Sequence, residues 1–268
     1  MKRTTAGLLL ALSAAFTAQA QSAPLDLVQE VATIAKTETE ATTSTQERSK
    51  DIAYASGLHL AYIITSSAAN NDVAKRGLES LSIALLERTA VEPKGVVGLN
   101  IEKDDLSLFP IIYWQITNTT PALSADAKKR VQGYLDNSGV IIFDSRDDAA
   151  LKNILDDLSV APLQEVRADH SLTRSFYLIS SLPGSSNAGK VLVESDSKIH
   201  GDSSRIIIGQ RNWAGAWSGT TLGPMSRERE MALRTGINMV MFALTGTYKQ
   251  DQIHMKSILE KLGKSAPK

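Results

Sequence analysis

The sequence predicts an α/β fold built on an open, mostly parallel β-sheet with helices on both faces. Short apolar runs rich in β-branched residues alternate along the chain with longer segments of helical periodicity, which is typical of such a sheet. The 268 residues are 43% hydrophobic and 22% charged. This is ordinary globular composition, and the length is sufficient for one sizeable core.

Each element follows from its local pattern. Strands are expected at residues 58–65, 96–101, 108–116 and 140–143, with extended runs at 175–180, 190–194 and 205–208. Helices are expected from Asn71 or Asp72 to about Arg88, after Ser124, and at about residues 147–158, 227–244 and 251–262. Strands and helices therefore alternate from about residue 58 onward.

The first twenty residues have the pattern of a secretory signal peptide. Lys2 and Arg3 form a positive start, residues 6–16 form an apolar core, and Ala18-Gln19-Ala20 is a small-x-small cleavage pattern. The apolar core is well short of the roughly 20 residues that span a bilayer. We therefore expect export by the general secretory route, cleavage after Ala20, no stable membrane insertion afterwards, and a periplasmic or secreted protein.

The mature chain is expected to have two parts. Residues 21–50 are rich in Thr, Glu, Ser and Ala and predict a polar linker. Within it, apolar residues recur at helical spacing over residues 26–36, which favours one short helix. Residues 51–268 are expected to form a single α/β domain. The chain has no cysteine, so this domain cannot rely on disulfides for its stability.

Charge argues against one class of partner. Lys plus Arg and Asp plus Glu both number 29, so the formal net charge is zero. A nucleic-acid binder carries a basic excess on one face, and the composition gives no such signal. We expect a protein partner or a small-molecule ligand of unknown identity.

The segment after the fourth predicted strand is the first candidate site. Asp144 directly follows the apolar run of residues 140–143, and open α/β sheets bind ligands at the carboxyl ends of their strands. Asp144 is therefore expected to point into that crevice, where Arg146 could hold it in a bidentate pair. Asp147 or Asp148 has a simpler interpretation, as the cap of the next helix.

A second candidate segment contains Asp169, His170 and Arg174. His170 with Asp144 or Asp169 could supply the base and carboxylate of a hydrolytic triad, or the histidine could be a structural residue that fixes a loop. The chain has no cysteine and no Gly-x-Ser-x-Gly, so the nucleophile of such a triad is missing. The four histidines are far apart in sequence, and we expect no metal and no cofactor.

The third candidate is the Gly- and Trp-bearing segment after the run at 205–208. Trp213 and Trp217 could stack on a sugar or on a side chain of a partner, or they could pack over the core as a lid. Gly209 and Gly215 lack the G-x-G-x-x-G spacing of a dinucleotide site.

Four ordered blocks of the chain resemble a known family. The four blocks are GVIIFDSRDD, DHSLTRSFYLI, IIIGQRNWAGAW and REMALRTGINMVMFALTGTYKQDQIH. Together they resemble the bacterial family called domain of unknown function 4159, over about residues 58–254. The resemblance implies a flavodoxin-like, class I glutamine-amidotransferase-like α/β fold and no settled activity. Relatives of the wider fold that cleave glutamine use a cysteine nucleophile, which this chain does not have.

Three functional hypotheses follow. The leading one is an exported, non-catalytic binding or interaction module, and the residues expected to line its crevice are Asp144, Arg146, Asp169, His170, Arg174 and Trp217. The first alternative is a hydrolase of a small or carbohydrate-like substrate, with Asp144 or His170 as general base and Arg174 stabilising a developing anion. The second alternative is a purely structural envelope protein.

Overall fold

The computed structural model describes residues 49–195 and 204–247. Its strands are β1 (His59–Ile63), β2 (Gly95–Leu99), β3 (Ile111–Ile116), β4 (Val140–Ser145), β5 (Leu163–Glu165), β6 (Ala188–Glu194) and β7 (Ile206–Gln210). They form one seven-stranded sheet in the order β2-β1-β3-β4-β7-β6-β5.

The five strands from β2 to β7 in that order are parallel, and β6 is antiparallel to both of its neighbours. The predicted open, mostly parallel sheet is therefore confirmed. Because parallel strands point the same way, the ends of β1, β3, β4 and β7 meet at one border of the sheet. We call this border the carboxyl edge and the opposite one the amino edge.

Helices cover both faces of the sheet. They are α1 (Ala68–Arg88), α2 (Ala125–Asp136), α3 (Asp148–Asp156), α4 (Trp213–Ser218) and α5 (Arg227–Thr247), with 3-10 turns at Leu106–Leu108 and Ser171–Thr173. The core has two layers, one under α1, α4 and α5 and one under α2 and α3. Alternate residues of β4 serve the two layers, since Val140 and Ile142 face the first and Ile141 and Phe143 the second.

Two predicted helix caps are confirmed. The Ser124 hydroxyl accepts the N–H of Ala127 at 3.1 Å at the start of α2. The Asp147 carboxylate accepts the N–H of Ala150 at 2.7 Å at the start of α3. Each cap satisfies a backbone donor that has no partner within the first helical turn.

The start of α1 differs from the prediction. The helix begins at Ala68 with Ser67 as its cap, one turn before the expected Asn71 or Asp72. Asn71 has another role, because its side chain accepts the N–H of Thr65 at 2.8 Å and donates to the Thr65 carbonyl at 2.9 Å. This pair closes the loop between β1 and α1.

Other segments also differ from expectation. Residues 175–180 form no strand, and the segment of Trp213 and Trp217 is a helix rather than a loop. The side chain of Asn238 supplies the hydrogen bonds that a neighbouring strand would give: it accepts the N–H of Tyr177 at 2.7 Å and donates to the carbonyls of Leu172 and Tyr177. The three-residue strand β5 is too short to show a pattern in sequence.

Several predictions lie outside the described residues: the signal peptide, the linker up to residue 48 and the helix at 251–262. Within the part of the chain that the structure describes, no helix is both long and apolar enough to cross a membrane.

Candidate functional site

A polar crevice lies at the carboxyl edge of the sheet, at the ends of β4 and β7. Its volume is about 460 Å³. Its lining consists mostly of hydroxyl and amide side chains with one guanidinium: Ser145, Arg146, Ser185, Ser186, Ala188, Gln210, Asn212 and Thr221. The size lies within the usual range of small-molecule sites.

Asp144 does not line this crevice, contrary to the prediction, because its carboxylate is fully engaged by the protein. The side chain is 1% exposed. Oδ1 accepts the N–H groups of Arg211 at 3.1 Å and Asn212 at 2.9 Å, while Oδ2 accepts the N–H of Trp213 at 2.6 Å and the hydroxyl of Tyr113 at 2.8 Å. One carboxylate therefore holds the whole turn between β7 and α4.

The turn needs this acceptor because α4 begins directly after β7. Asn212 precedes the helix in the left-handed conformation, at φ 48° and ψ 51°, and its own side chain makes no cap hydrogen bond. The free N–H groups at the helix start must find another acceptor, and Asp144 of the neighbouring strand supplies it. Asparagine tolerates this backbone conformation better than most residues.

Burial and hydrogen bonding act in opposite directions on Asp144. Burial disfavours the charged form and raises the pKa of this carboxyl above its ordinary value, while the hydrogen bonds from Tyr113 and the three backbone N–H groups partly offset the rise. Burial, with the Asp144 charge beside it, also raises the pKa of the Tyr113 hydroxyl well above its usual range.

The side chain of Asn212 links two walls of the crevice. Its Oδ1 accepts Nη2 of Arg146 at 2.8 Å, and its Nδ2 donates to the hydroxyl of Ser185 at 2.8 Å. Gly184 fits against this turn because a Cβ there would collide with the Arg211 carbonyl. The backbone of the 184–186 segment can therefore approach the turn closely.

Arg211, Asn212 and Ser185 were not identified from the sequence. Their weak signal is the pair Arg211-Asn212 directly after a buried strand, where asparagine favours a left-handed turn. Arg211 ties the turn to the segment before β6, since its guanidinium donates to the carbonyl of Gly189 at 2.9 Å and to Oδ1 of Asn187 at 3.3 Å. Partial burial lowers its pKa.

The sequence-predicted residues fall into two groups. Asp144 and Arg146 both contact the β7–α4 turn, but the expected bidentate pair between them is absent from the described residues, because Asp144 binds the backbone of the turn and Arg146 donates to Asn212. Asp169, His170 and Arg174 belong to the loop around the 3-10 turn Ser171–Thr173, which Asn238 holds against α5. Within the described residues, these three side chains share no hydrogen-bond partner with Asp144.

In its own loop, His170 caps the 3-10 turn. Its Nδ1 accepts the N–H of Leu172 at 3.1 Å, and the centroids of its ring and the Phe242 ring are 5.9 Å apart. A neutral ring in this role carries its proton on Nε2, which is buried without a hydrogen-bond partner in the described part of the chain. This geometry matches the structural role that the sequence left open for His170.

The two flanking charges of that loop are exposed. The Asp169 carboxylate pairs with Arg167 at 3.1 Å, and both side chains are mostly in solvent. Nε of Arg174 donates to the Ala168 carbonyl at 3.3 Å. Such exposed pairs contribute little to stability.

Trp217 lies in the core. It is 0% exposed, its indole N–H donates to the Ala232 carbonyl at 2.8 Å, and its ring meets that of Tyr113 edge-on at 5.8 Å. Of the two interpretations that the sequence allowed, stacking on a ligand and packing over the core, the structure has the second.

The described residues contain no group of three or more His, Asp or Glu side chains placed to hold a metal ion. None of the curated proteins matches this chain. Residues 59–244, more than half of the chain, match the family model described as Domain of unknown function (DUF4159). The chain therefore belongs to the DUF4159 family, as the four sequence blocks indicated.

Proposed function

We propose that this chain is an exported, non-catalytic binding module that holds a small polar ligand in the crevice at the ends of β4 and β7. The observation that carries the proposal is the engagement of Asp144. This buried carboxylate accepts four hydrogen bonds from the protein itself and is therefore committed to the turn. A general base needs a free lone pair within reach of the substrate.

The β7–α4 turn supports binding over turnover. In enzymes with a nucleophile elbow, a sharp strand-to-helix turn presents the nucleophile, and backbone N–H groups nearby stabilise the oxyanion. Here the sharp turn presents the carboxamide of Asn212, and the N–H groups of Arg211, Asn212 and Trp213 donate to Asp144. The donors that acyl transfer would use for an oxyanion are engaged by a protein carboxylate.

The lining favours a ligand with hydroxyl or carboxylate groups. Arg146 uses one donor on Asn212 and is otherwise exposed beside Ser185, Ser186 and Gln210. A guanidinium has five N–H donors in a planar fork that suits a carboxylate or a pair of hydroxyls. A sugar, a sugar acid or a hydroxy acid has this chemistry.

The hydrolase hypothesis would need Asp144 and His170 to act together. Their separate hydrogen-bond networks weigh against it, and the binding proposal does not require them to meet. Under the interaction-module hypothesis, the ligand is a polar side chain that a protein partner inserts into the crevice.

Two finer assignments belong to the same proposal. The strand order β2-β1-β3-β4 followed by β7 supports a flavodoxin-like, class I glutamine-amidotransferase-like fold. The charged start, apolar core and small-x-small pattern of residues 1–20 support export by the secretory route.

The test is calorimetric titration and thermal shift of the purified protein with sugars, sugar acids and hydroxy acids. A ligand that binds the native state raises its melting temperature. We expect Arg146→Gln to weaken binding of a hit by about tenfold, the loss of one charge-assisted hydrogen bond. Arg76→Gln is the matched control, because Arg76 is an exposed arginine of α1 that pairs with Asp72.

Three results would contradict the proposal. One is the absence of binding by every compound at millimolar concentration. Another is equal affinity in the Arg146→Gln variant and the wild type. The third is turnover of a bound compound that disappears in a folded His170→Ala variant, which would favour the hydrolase.

A further inference from the structure

We propose that a second site, for a small organic anion, lies between the C-terminal turn of α2 and the segment that leads into β3. A cavity of about 350 Å³ lies there. Its lining is Lys103, Asp104, Asp105, Leu106, Ser107, Lys129, Arg130, Gly133, Tyr134 and Asn137. The proposal does not depend on the function assigned to the crevice.

The cavity is remote from the crevice. Helix α2 runs from the end of β3 back to the start of β4, so its last turn lies at the amino edge of the sheet. The 3-10 turn Leu106–Leu108 precedes β3 and lies at the same edge. Ligands in the two places would contact different residues, and their binding can be measured separately.

Arg130 provides the first sign of a ligand. It lines the cavity, and its Nη1 is buried with no hydrogen-bond acceptor in the described part of the chain. A buried donor without a partner is destabilising. An oxygen of a bound anion would satisfy it.

Gly133 provides the second sign of a ligand. A glycine inside a helix is less stable than alanine there, so it usually has a packing reason. Gly77 of α1 has one, because a Cβ there would lie 2.5 Å from the Ala214 carbonyl oxygen. A Cβ at Gly133 would meet no atom within 4 Å. Gly133 instead lines the cavity and leaves the surface of α2 open to a ligand.

The charges around the cavity favour a single negative charge. Lys103, Lys129 and Arg130 are cationic, and Asp104 and Asp105 are anionic. The two carboxylates are already engaged: Asp104 accepts the N–H of Asn100 at 2.6 Å, and Asp105 accepts the N–H of Ser107 at 2.9 Å. Among the lining residues one positive charge remains in excess, and the Lys129 ammonium also lies 3.9 Å from the exposed Asp126 carboxylate outside the lining.

The other lining groups narrow the class of ligand. The Gly133 carbonyl at the end of α2 already accepts the backbone N–H and the side-chain amide of Asn137, at 3.1 and 2.7 Å, which reduces its repulsion of an anion. Tyr134 and Leu106 add apolar wall, and Ser107 adds a hydroxyl. We infer a small monocarboxylate with a short apolar or hydroxylated body, its carboxylate on Arg130.

The test is titration of the purified protein with acetate, lactate, gluconate, benzoate and inorganic phosphate, followed by calorimetry and by NMR of the arginine side-chain N–H groups. We expect at least one monocarboxylate to bind and to shift the Arg130 signals. Arg130→Gln should weaken binding at least tenfold. Gly133→Leu, whose side chain would enter the cavity, should do the same in a folded protein.

Two control variants make the test specific. Gly133→Ala should be more stable than the wild type, because its methyl group meets no atom of the protein, and it should weaken binding less than Gly133→Leu does. Arg146→Gln, at the crevice, should leave the ligand-induced shift of the Arg130 signals unchanged. The site would be excluded if every probe bound Arg130→Gln as well as wild type, or if none bound at millimolar concentration. Phosphate binding stronger than that of every carboxylate would also overturn the assigned ligand class.

Discussion

Two buried carboxylates, at opposite edges of the same sheet, are satisfied in different ways. Asp144, at the carboxyl edge, accepts hydrogen bonds from neutral donors. Glu194, at the end of β6 and therefore at the amino edge, pairs with Arg205 at 2.7 Å and also accepts the N–H groups of Ala161 and Arg205. Both are almost inaccessible to solvent, at 1% and 5% exposure.

The partner decides the direction of the pKa change. Burial raises the pKa of both carboxyl groups, but at Glu194 the charge and hydrogen bonds of Arg205 outweigh it, and the pKa is lowered. At Asp144 the neutral donors do not outweigh burial, and the pKa is raised. The amino edge therefore has a structural ion pair, whereas the carboxyl edge has a buried carboxylate that holds the β7–α4 turn.

Removing Asp144 should have the largest effect on stability. Asp144→Ala leaves three backbone N–H groups and the Tyr113 hydroxyl buried without their acceptor, and we expect a loss on the order of 4 kcal/mol in the free energy of unfolding. Urea denaturation measures it. Asp147→Ala is the matched control, since it removes one helix cap and should cost about 1 kcal/mol. Equal losses in the two variants would show that Asp144 does not hold the turn.

Breaking the ion pair at the amino edge should come next. Glu194→Gln keeps the shape but leaves the Arg205 guanidinium, 11% exposed, with only the exposed Asp136 carboxylate at 3.3 Å as its counter-charge, and we expect a loss of about 3 kcal/mol. Denaturation of Glu194→Gln and of the double variant with Arg205→Met checks it. The double variant should regain part of the loss. If it were less stable than Glu194→Gln, the cost would not come from an uncompensated charge.

The smallest effect, and the sharpest comparison, is the pH dependence of stability. Asp144 binds its proton more tightly in the folded state, so its contribution to stability falls as pH rises from its ordinary pKa of 3.8 through its raised value. Glu194 binds its proton less tightly in the folded state. Its contribution is present above the ordinary pKa of 4.5 and is lost as pH falls through the lowered value.

Unfolding free energies of the wild type, Asp144→Asn and Glu194→Gln between about pH 3 and about pH 7 measure both contributions, because each variant removes one titrating group. With rising pH the wild type should lose stability relative to Asp144→Asn and gain stability relative to Glu194→Gln. The same sign for both differences would mean that the two carboxylates have similar surroundings.

The fold was largely predictable because it depends on local patterns. The β-branched run of residues 140–143 and the caps Ser124 and Asp147 act within a few residues, and the structure has them where expected. The failures involve distant partners. Residues 175–180 look like a strand, but Asn238, about 60 positions later, holds them as a loop.

The candidate site was predictable only in part, for the same reason. Asp144 lies near the end of the buried strand β4 and Arg146 directly follows it, and their place at the carboxyl edge comes from that strand alone. The bond from Arg146 to Asn212 and the burial of Trp217 depend on how α4 packs, and periodicity does not reveal packing. The turn between β7 and α4 depends on the left-handed backbone conformation of Asn212.

The contact between Tyr113 and Trp217 has a consequence for how this family can change. Tyr113 touches the Trp217 ring in the core and donates its hydroxyl to Asp144, which holds the turn under the crevice. A substitution at Tyr113 or Asp144 would therefore disturb the core and reduce the amount of folded protein. Arg146 and Ser186 line the crevice and have no hydrogen bond to either of these residues in the described part of the chain. Under the proposed binding function, new ligand preferences in relatives should arise at such lining positions while Tyr113 and Asp144 stay the same.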